Sequence, residues 1–342
     1  MTFGDPVGDP LGDPLGDPLP GALREAAELL GRGAEISSGE GDDGLVRVHI
    51  RLGPARHGHT PQWGVAAYDR GFVAGEIQRG VRQLRSDRAL LALRTPLTQP
   101  LSGAALLSPA AAGVFVHECF GHTSEADNYL AQEASADRVL GDRWTAAPLT
   151  VRDTPGARPY AGSYREDDEG TPARTVTLLT EGRWTGLLTH RATRRLSGGR
   201  STGHGRGGAG ASVPRCSVLD VEPGPYSPTE LLRQMGDGWL LGTAVGGYSV
   251  RGLLILELLW VRRVRAGQLT DEVLGPAVVC AKKSALAAQV TAVGNDVSVN
   301  SSPYTCVKEG HEVGSTLISP SLLLNRCVLR PLDQLERAQG RP

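Results

Sequence analysis

The segment Val116-His117-Glu118-Cys119-Phe120-Gly121-His122 places two imidazoles and a carboxylate within a few residues of one another. Peptide hydrolysis needs a Lewis acid to polarise the carbonyl, an activated water, and a base to take that water's proton. Two metal-binding histidines and a glutamate meet those needs. His117 and His122 are therefore candidate ligands, with Glu118 as candidate general base.

The spacing is unusual. In H-E-x-x-H the histidines stand four apart, within about 40° of each other around a regular helix. Here they stand five apart, a separation of about 140°. Both reach one metal only if the helix widens into a π-type turn or ends between them. Gly121 permits either, because glycine tolerates the backbone angles of a helix end. A catalytic zinc usually has three protein ligands and one open position. The remaining histidines, acids and thiols all compete for the third place, and composition does not choose among them.

These residues need elements to position them. Leu106 to Phe120 is an apolar, alanine-rich run that reads as a helix, with Ser108 as N-cap and Pro109 in the first turn. From about Thr150 onward the chain reads as strand-rich, with candidates at 174–180, 184–190, 253–263, 278–281 and 313–318. Glu181-Gly182 and Ala266-Gly267 supply turns. Earlier in the chain, 22–30 and 81–93 read as helices and 45–52 and 63–68 as strands. His57 and His59 fall in a Pro- and Gly-punctuated stretch and are expected in an exposed loop. Residues 4–19 repeat a Gly-Asp-Pro unit, and 1–20 are expected to form a disordered arm.

Composition excludes several functions. The chain has 342 residues with 36 basic against 37 acidic, a net charge of −1, so a polyanion such as nucleic acid is not an expected partner. No apolar run is long enough to cross a bilayer, and the start lacks a signal peptide's regions. That implies a cytoplasmic protein, and the odd set Cys119, Cys216, Cys280, Cys306 and Cys327 implies reduced thiols. Asp167-Asp168-Glu169 reads as a solvated loop or as acids that order backbone. The glycine-rich stretch 203–208 lacks a phosphate-loop pattern and reads as a mobile loop near the cleft, with Arg206 meeting a substrate carboxylate.

Several blocks together resemble the TldD/PmbA family of zinc metallopeptidases: Leu106 to Ala112 leading into HECFGH, Asp167 to Pro172, Ser201 to Arg206, Gly246-Gly247, and Thr305 to Gly310. The resemblance covers roughly residues 100 to 325. It implies that Cys306 is the third ligand, that one Zn2+ is held per catalytic subunit, and that Glu118 activates the zinc-bound water. Cys119 matches no family ligand and is expected to be a buried apolar residue, as are Cys216, Cys280 and Cys327. The resemblance also implies unstructured or modified peptides as substrates. The implied partner is a PmbA/TldE-like non-catalytic subunit in a heterodimer, with a homodimer as the alternative. The amino-terminal region is shorter than is usual in the family, and His311 stands where glutamine is common.

The expected fold class is α+β. A reduced amino-terminal α/β domain spans 21–100, and a metallopeptidase domain rich in antiparallel β-structure spans 101–342, with the HExxxH helix at the junction. Two other functions fit the same residues: hydrolysis of a small metabolite amide, and a non-catalytic zinc-binding subunit.

Overall fold

The structure, a computed structural model, describes residues 17–31, 33–42, 44–53, 60–131, 138–157, 159–207, 212–250, 252–300 and 305–334. His57, His59 and the first sixteen residues lie outside these. The chain divides into two compact units, 1–88 with 158–161 and 301–303, and the remainder.

In the first unit, strands Ala34–Glu40, Val46–Leu52 and Gln62–Ala67 form an antiparallel sheet, with Ile36 opposite Ile50 and Val48 opposite Val65. Val46–Leu52 buries alternate residues, as the period of a strand requires. The first helix begins at Pro18, not Ala22: Asp17 caps it by accepting from Leu19 N. Asp17, Pro18 and Leu19 of the last Gly-Asp-Pro repeat therefore belong to this capped helix. The helix expected over 81–93 begins at Arg70. Gly71, Gly75 and Gly80 weaken its helix propensity, yet Val73, Ile77, Val81 and Leu84 bury one face. Gly80 is needed there, since a Cβ would lie 2.1 Å from the Trp63 ring.

The second unit is built on two sheets. The larger has ten strands, with Leu101–Leu107 near its centre between Leu322–Pro331 and Gly238–Leu241, and Ala244–Val250 at one end. The smaller has six and contains Thr316–Ser319 and Val218–Val221 side by side. Among the described residues, the strands of this unit pair antiparallel apart from three parallel pairs: Gly238–Leu241 with Leu101–Leu107, Val218–Val221 with Thr316–Ser319, and Gln268–Leu274 with Arg94–Thr95. This is the expected α+β class. The helix Pro109–Val116 contacts strands of both sheets. It is accordingly buried from Ala111 to Val116, which explains why its sequence is apolar all round.

Several sequence boundaries shift. Leu106 and Leu107 end a strand, and the helix starts after Ser108, whose side chain accepts from Ala111 N. The run 253–263 is two strands, Leu253–Leu258 and Val261–Arg265, and 313–318 is likewise divided between His311–Gly314 and Thr316–Ser319. Of 184–190, only Trp184 lies in a strand; Leu188 makes an isolated bridge to Glu125. Glu181-Gly182 and Ala266-Gly267 both have positive φ, the conformation of tight hairpin turns.

Candidate metal centre

His117–Gly121 is a π-turn continuous with the helix before it and with His122–Ser124 after it. The His122 N–H donates to the His117 carbonyl, five residues back. The wider turn brings positions five apart onto one face, and the two imidazole centroids lie 4.6 Å apart. The reason for Gly121 differs from the one the sequence suggests. Its φ of −58° is ordinary helix. What it supplies is room: a Cβ would stand 2.8 Å from Cys216 Sγ and 3.0 Å from Leu219 Cδ1.

Cys306 arrives from a hairpin, Thr305–Lys308 paired with His311–Gly314. Its Sγ lies 3.4 Å from His122 Nε2. One donor atom from each of His117, His122 and Cys306 falls within 4.8 Å of the others. Burial alone would raise the Cys306 thiol, but the His122 and His117 imidazoles outweigh it and hold the thiol well below its ordinary value. The site thus favours a thiolate, the form that binds metal.

Two residues that sequence reasoning missed complete the centre. The chain leaves the helix at Glu125, whose backbone is extended, and its carboxylate folds back so that Oε2 lies 2.9 Å from His122 Nδ1. That contact directs the His122 Nε2 atom towards Cys306. Glu125 also accepts from Asn128 Nδ2 at 3.0 Å and Cys216 N at 3.2 Å. Lys308 Nζ lies 2.9 Å from Glu125 and 2.8 Å from Asp127. Cys306 and Lys308 are two apart on one strand and share a face, so one strand delivers both a candidate ligand and the cation that pairs with Glu125. The acid three residues after His122 was the available signal, as was Glu309-Gly310, a turn dipeptide of the same kind as Glu181-Gly182.

The three candidate ligands line a cleft of about 430 Å³ with Glu118, Lys283 and Tyr248. Glu118 Oε2 lies 3.9 Å from His122 Nε2. Both Glu118 Oε2 and His117 Nδ1 are buried with no hydrogen-bond partner among the described residues. Buried polar atoms without partners are costly, and here they belong to the proposed base and a proposed ligand. Two imidazoles, a thiolate-favouring cysteine and these orphaned atoms fit a zinc ion with an open position. Gly247, on the terminal strand, leaves space for Glu118: a Cβ there would meet Val114 Cγ1 at 2.3 Å and Glu118 Cγ at 3.3 Å.

The acidic block orders backbone. Asp167 accepts from the N–H groups of Glu169, Thr171 and Gly205, and Asp168 from that of Gly207. The loop so held carries Arg206, which donates to the Gly314 carbonyl at 2.9 Å and stacks over Tyr164. Arg206 is therefore a brace for the Cys306 hairpin and lies outside the cleft lining. Arg215, fully buried, donates to the Cys306 carbonyl and to that of His311 at 3.1 Å. Burial pushes the Cys119 and Cys327 thiols up to about 12 and raises Cys216 well above its ordinary value. All three are buried, whereas Cys280 is half-buried.

Residues 102–329 match the PmbA/TldA metallopeptidase C-terminal domain. The chain belongs to the PmbA/TldD family. Its relatives include Metalloprotease MJ0996 of Methanocaldococcus jannaschii, 31% identical over 61% of this chain and 46% of that protein. Another is the zinc metalloprotease TldD homolog of Saccharolobus solfataricus, 29% identical over 42% of this chain and 32% of that one. The chain thus spans less than half the length of these curated relatives. Among solved structures, TldE from Thermococcus kodakarensis shares the fold, with a TM-score of 0.65 at 16% identity over 92% of this chain and 74% of that one. This PmbA/TldD chain contains no helix, among the described residues, long and apolar enough to cross a membrane.

Proposed function

We propose that this protein is a zinc-dependent peptidase that cleaves extended, unstructured peptides. One observation carries the reading: His117, His122 and Cys306, from a π-turn and a distant hairpin, converge beside Glu118 in an open cleft. A zinc ion held by these three residues supplies a Lewis acid for the carbonyl and lowers the pKa of water. Glu118 then takes the attacking water's proton and delivers it to the leaving amine. Lys308, Glu125 and Asn128 hold His122 in place throughout.

The cleft wall supports an extended substrate. Ala244–Val250 is the terminal strand of the large sheet, and its residues 247–250 line the cleft. A peptide laid along such a strand is recognised by its main chain, with little demand on sequence. A folded protein could not offer that backbone. A TldE-like second subunit is the proposed partner, by analogy with the Thermococcus structure, with a homodimer as the alternative. The unpaired cysteines fit a reducing, cytoplasmic location.

Metal content and cleavage of an unfolded peptide, measured together, test the reading. Wild type should hold one zinc and cleave. Glu118→Gln should keep the metal and lose about 10²–10⁴-fold in rate, and Cys306→Ala should lose the metal. Full activity in Glu118→Gln would refute the mechanism. Hydrolysis of acylated small amines in place of peptides would move the function to an amidohydrolase.

A further inference from the structure

Lys283 opens the short helix Lys283–Ala287 and is 2% exposed. It lines the same cleft as Glu118 and the candidate ligands. A buried ammonium is costly unless it is paired. The ion pairs around the site join His122 to Glu118 and Glu125, and Lys308 to Glu125 and Asp127. Lys283 takes part in none of them. Its Nζ donates to Thr123 Oγ1 at 3.3 Å, which accounts for one of its three protons.

The Thr123 hydroxyl spends its own proton on the Cys119 carbonyl at 2.6 Å, so towards Lys283 it serves only as acceptor. Cys119 adjoins Glu118, and Thr123 adjoins His122. The turn that carries the base and a ligand therefore also fixes the ammonium. Behind it, the Lys283 carbonyl accepts from Cys119 Sγ at 3.6 Å and its N–H donates to the Gly252 carbonyl at 3.0 Å. The other cleft lysine, Lys308, is committed to Glu125 and Asp127.

We infer that Lys283 is a catalytic residue whose ammonium meets the scissile carbonyl oxygen as negative charge develops on it. This role rests on the peptidase reading above. As the water oxygen bonds to the carbonyl carbon, the π pair moves onto the carbonyl oxygen, where Lys283 donates a hydrogen bond. Glu118 receives the water's proton. When the pair returns and the C–N bond breaks, that proton goes to the amine. Lys283 keeps its own protons at every stage. A preorganised cation in a water-poor site is worth most where charge appears only in the transition state.

Lys283→Met and Lys283→Arg, loaded with zinc, test this by metal content, by kcat and KM on an unfolded peptide, and by calorimetric affinity for a phosphinic peptide. That anionic, tetrahedral compound mimics the charged carbonyl centre. Lys283→Met should keep its zinc and its KM within about three-fold, while kcat and phosphinic-peptide affinity both fall by about 10²–10³. Lys283→Arg should recover part of each. Unchanged kcat and affinity would overturn the role, as would a loss confined to KM, which would put the ammonium on a substrate carboxylate instead. Loss of zinc from Lys283→Met would likewise overturn it in favour of a structural role. Should the methionine variant not fold, Lys283→Gln and Lys283→Arg decide on the same readouts. A wild type that cleaves no peptide defeats the peptidase reading itself; a variant that matches an active wild type defeats only the role of Lys283.

Discussion

His122 Nδ1 and Glu125 Oε2 lie 2.9 Å apart, and that same oxygen lies 2.9 Å from Lys308 Nζ. A carboxylate that accepts from one ring nitrogen fixes the tautomer and leaves the other free to bind metal.

Removing that support should weaken the metal site without removing a ligand. Glu125→Gln is expected to lower zinc affinity about 10–100-fold, measured by competition with a chromophoric chelator. Lys308→Met should act in the same direction. An unchanged affinity in both would mean that the contact is incidental.

In the metal-free protein the same pair should shape stability against pH. Burial would raise Glu125, but His122 and Lys308 outweigh it and hold it below its ordinary 4.5. Its contribution is complete above 4.5 and is lost as pH falls from there towards the folded-state value. His122 runs the other way. Burial lowers it, Glu125 and Cys306 raise it more, and its share is present below 6.5 and lost as pH climbs through the folded-state value. Denaturant titrations of the chelated protein between about pH 7 and pH 3 should show a steeper acid loss in wild type than in Glu125→Gln. Parallel curves would count against the assignment.

Arg215→Met should cost stability and metal together. It leaves the buried Cys306 carbonyl and the half-buried His311 carbonyl without their guanidinium donor, at about 1–3 kcal/mol for the buried one. Because those carbonyls belong to the hairpin that carries Cys306, zinc affinity should fall as well. Loss of stability with unaltered metal binding would show that the brace supports only the fold.

At Gly121 the expectation is steric. Alanine there must displace Cys216 Sγ or Leu219 Cδ1, at about 1–3 kcal/mol for an overpacked core. Adding Cys216→Ala should recover part of the loss. Melting temperatures of the single and double variants provide the check, and a neutral Gly121→Ala would refute the steric role of the glycine.

How much was legible can be seen at particular residues. His117, Glu118 and His122 are close in sequence, so spacing alone demanded a widened or broken turn, and the structure contains the widened one. The Ser108 cap and the two X-Gly turns were equally local. Cys306 entered through resemblance to a family, since its 184-residue separation from His122 carries no geometric information. Arg206 was misplaced because a lone arginine in a glycine-rich stretch reads the same whether it faces a substrate or a backbone carbonyl.

What the sequence by itself determined was local: an apolar helix, a five-residue histidine spacing that calls for a widened or broken helix, a strand-rich remainder, and a carboxylate next to an imidazole. These follow from backbone periodicity and steric preference over a few residues. Only the tertiary structure decided that Lys308 and Glu125 meet behind His122, that Lys283 is buried in the cleft that Glu118 lines, and that Gly121 serves for room rather than for its torsion angles. Those relationships depend on how sheets and hairpins distant in the chain pack, and packing distances are not written in any local pattern.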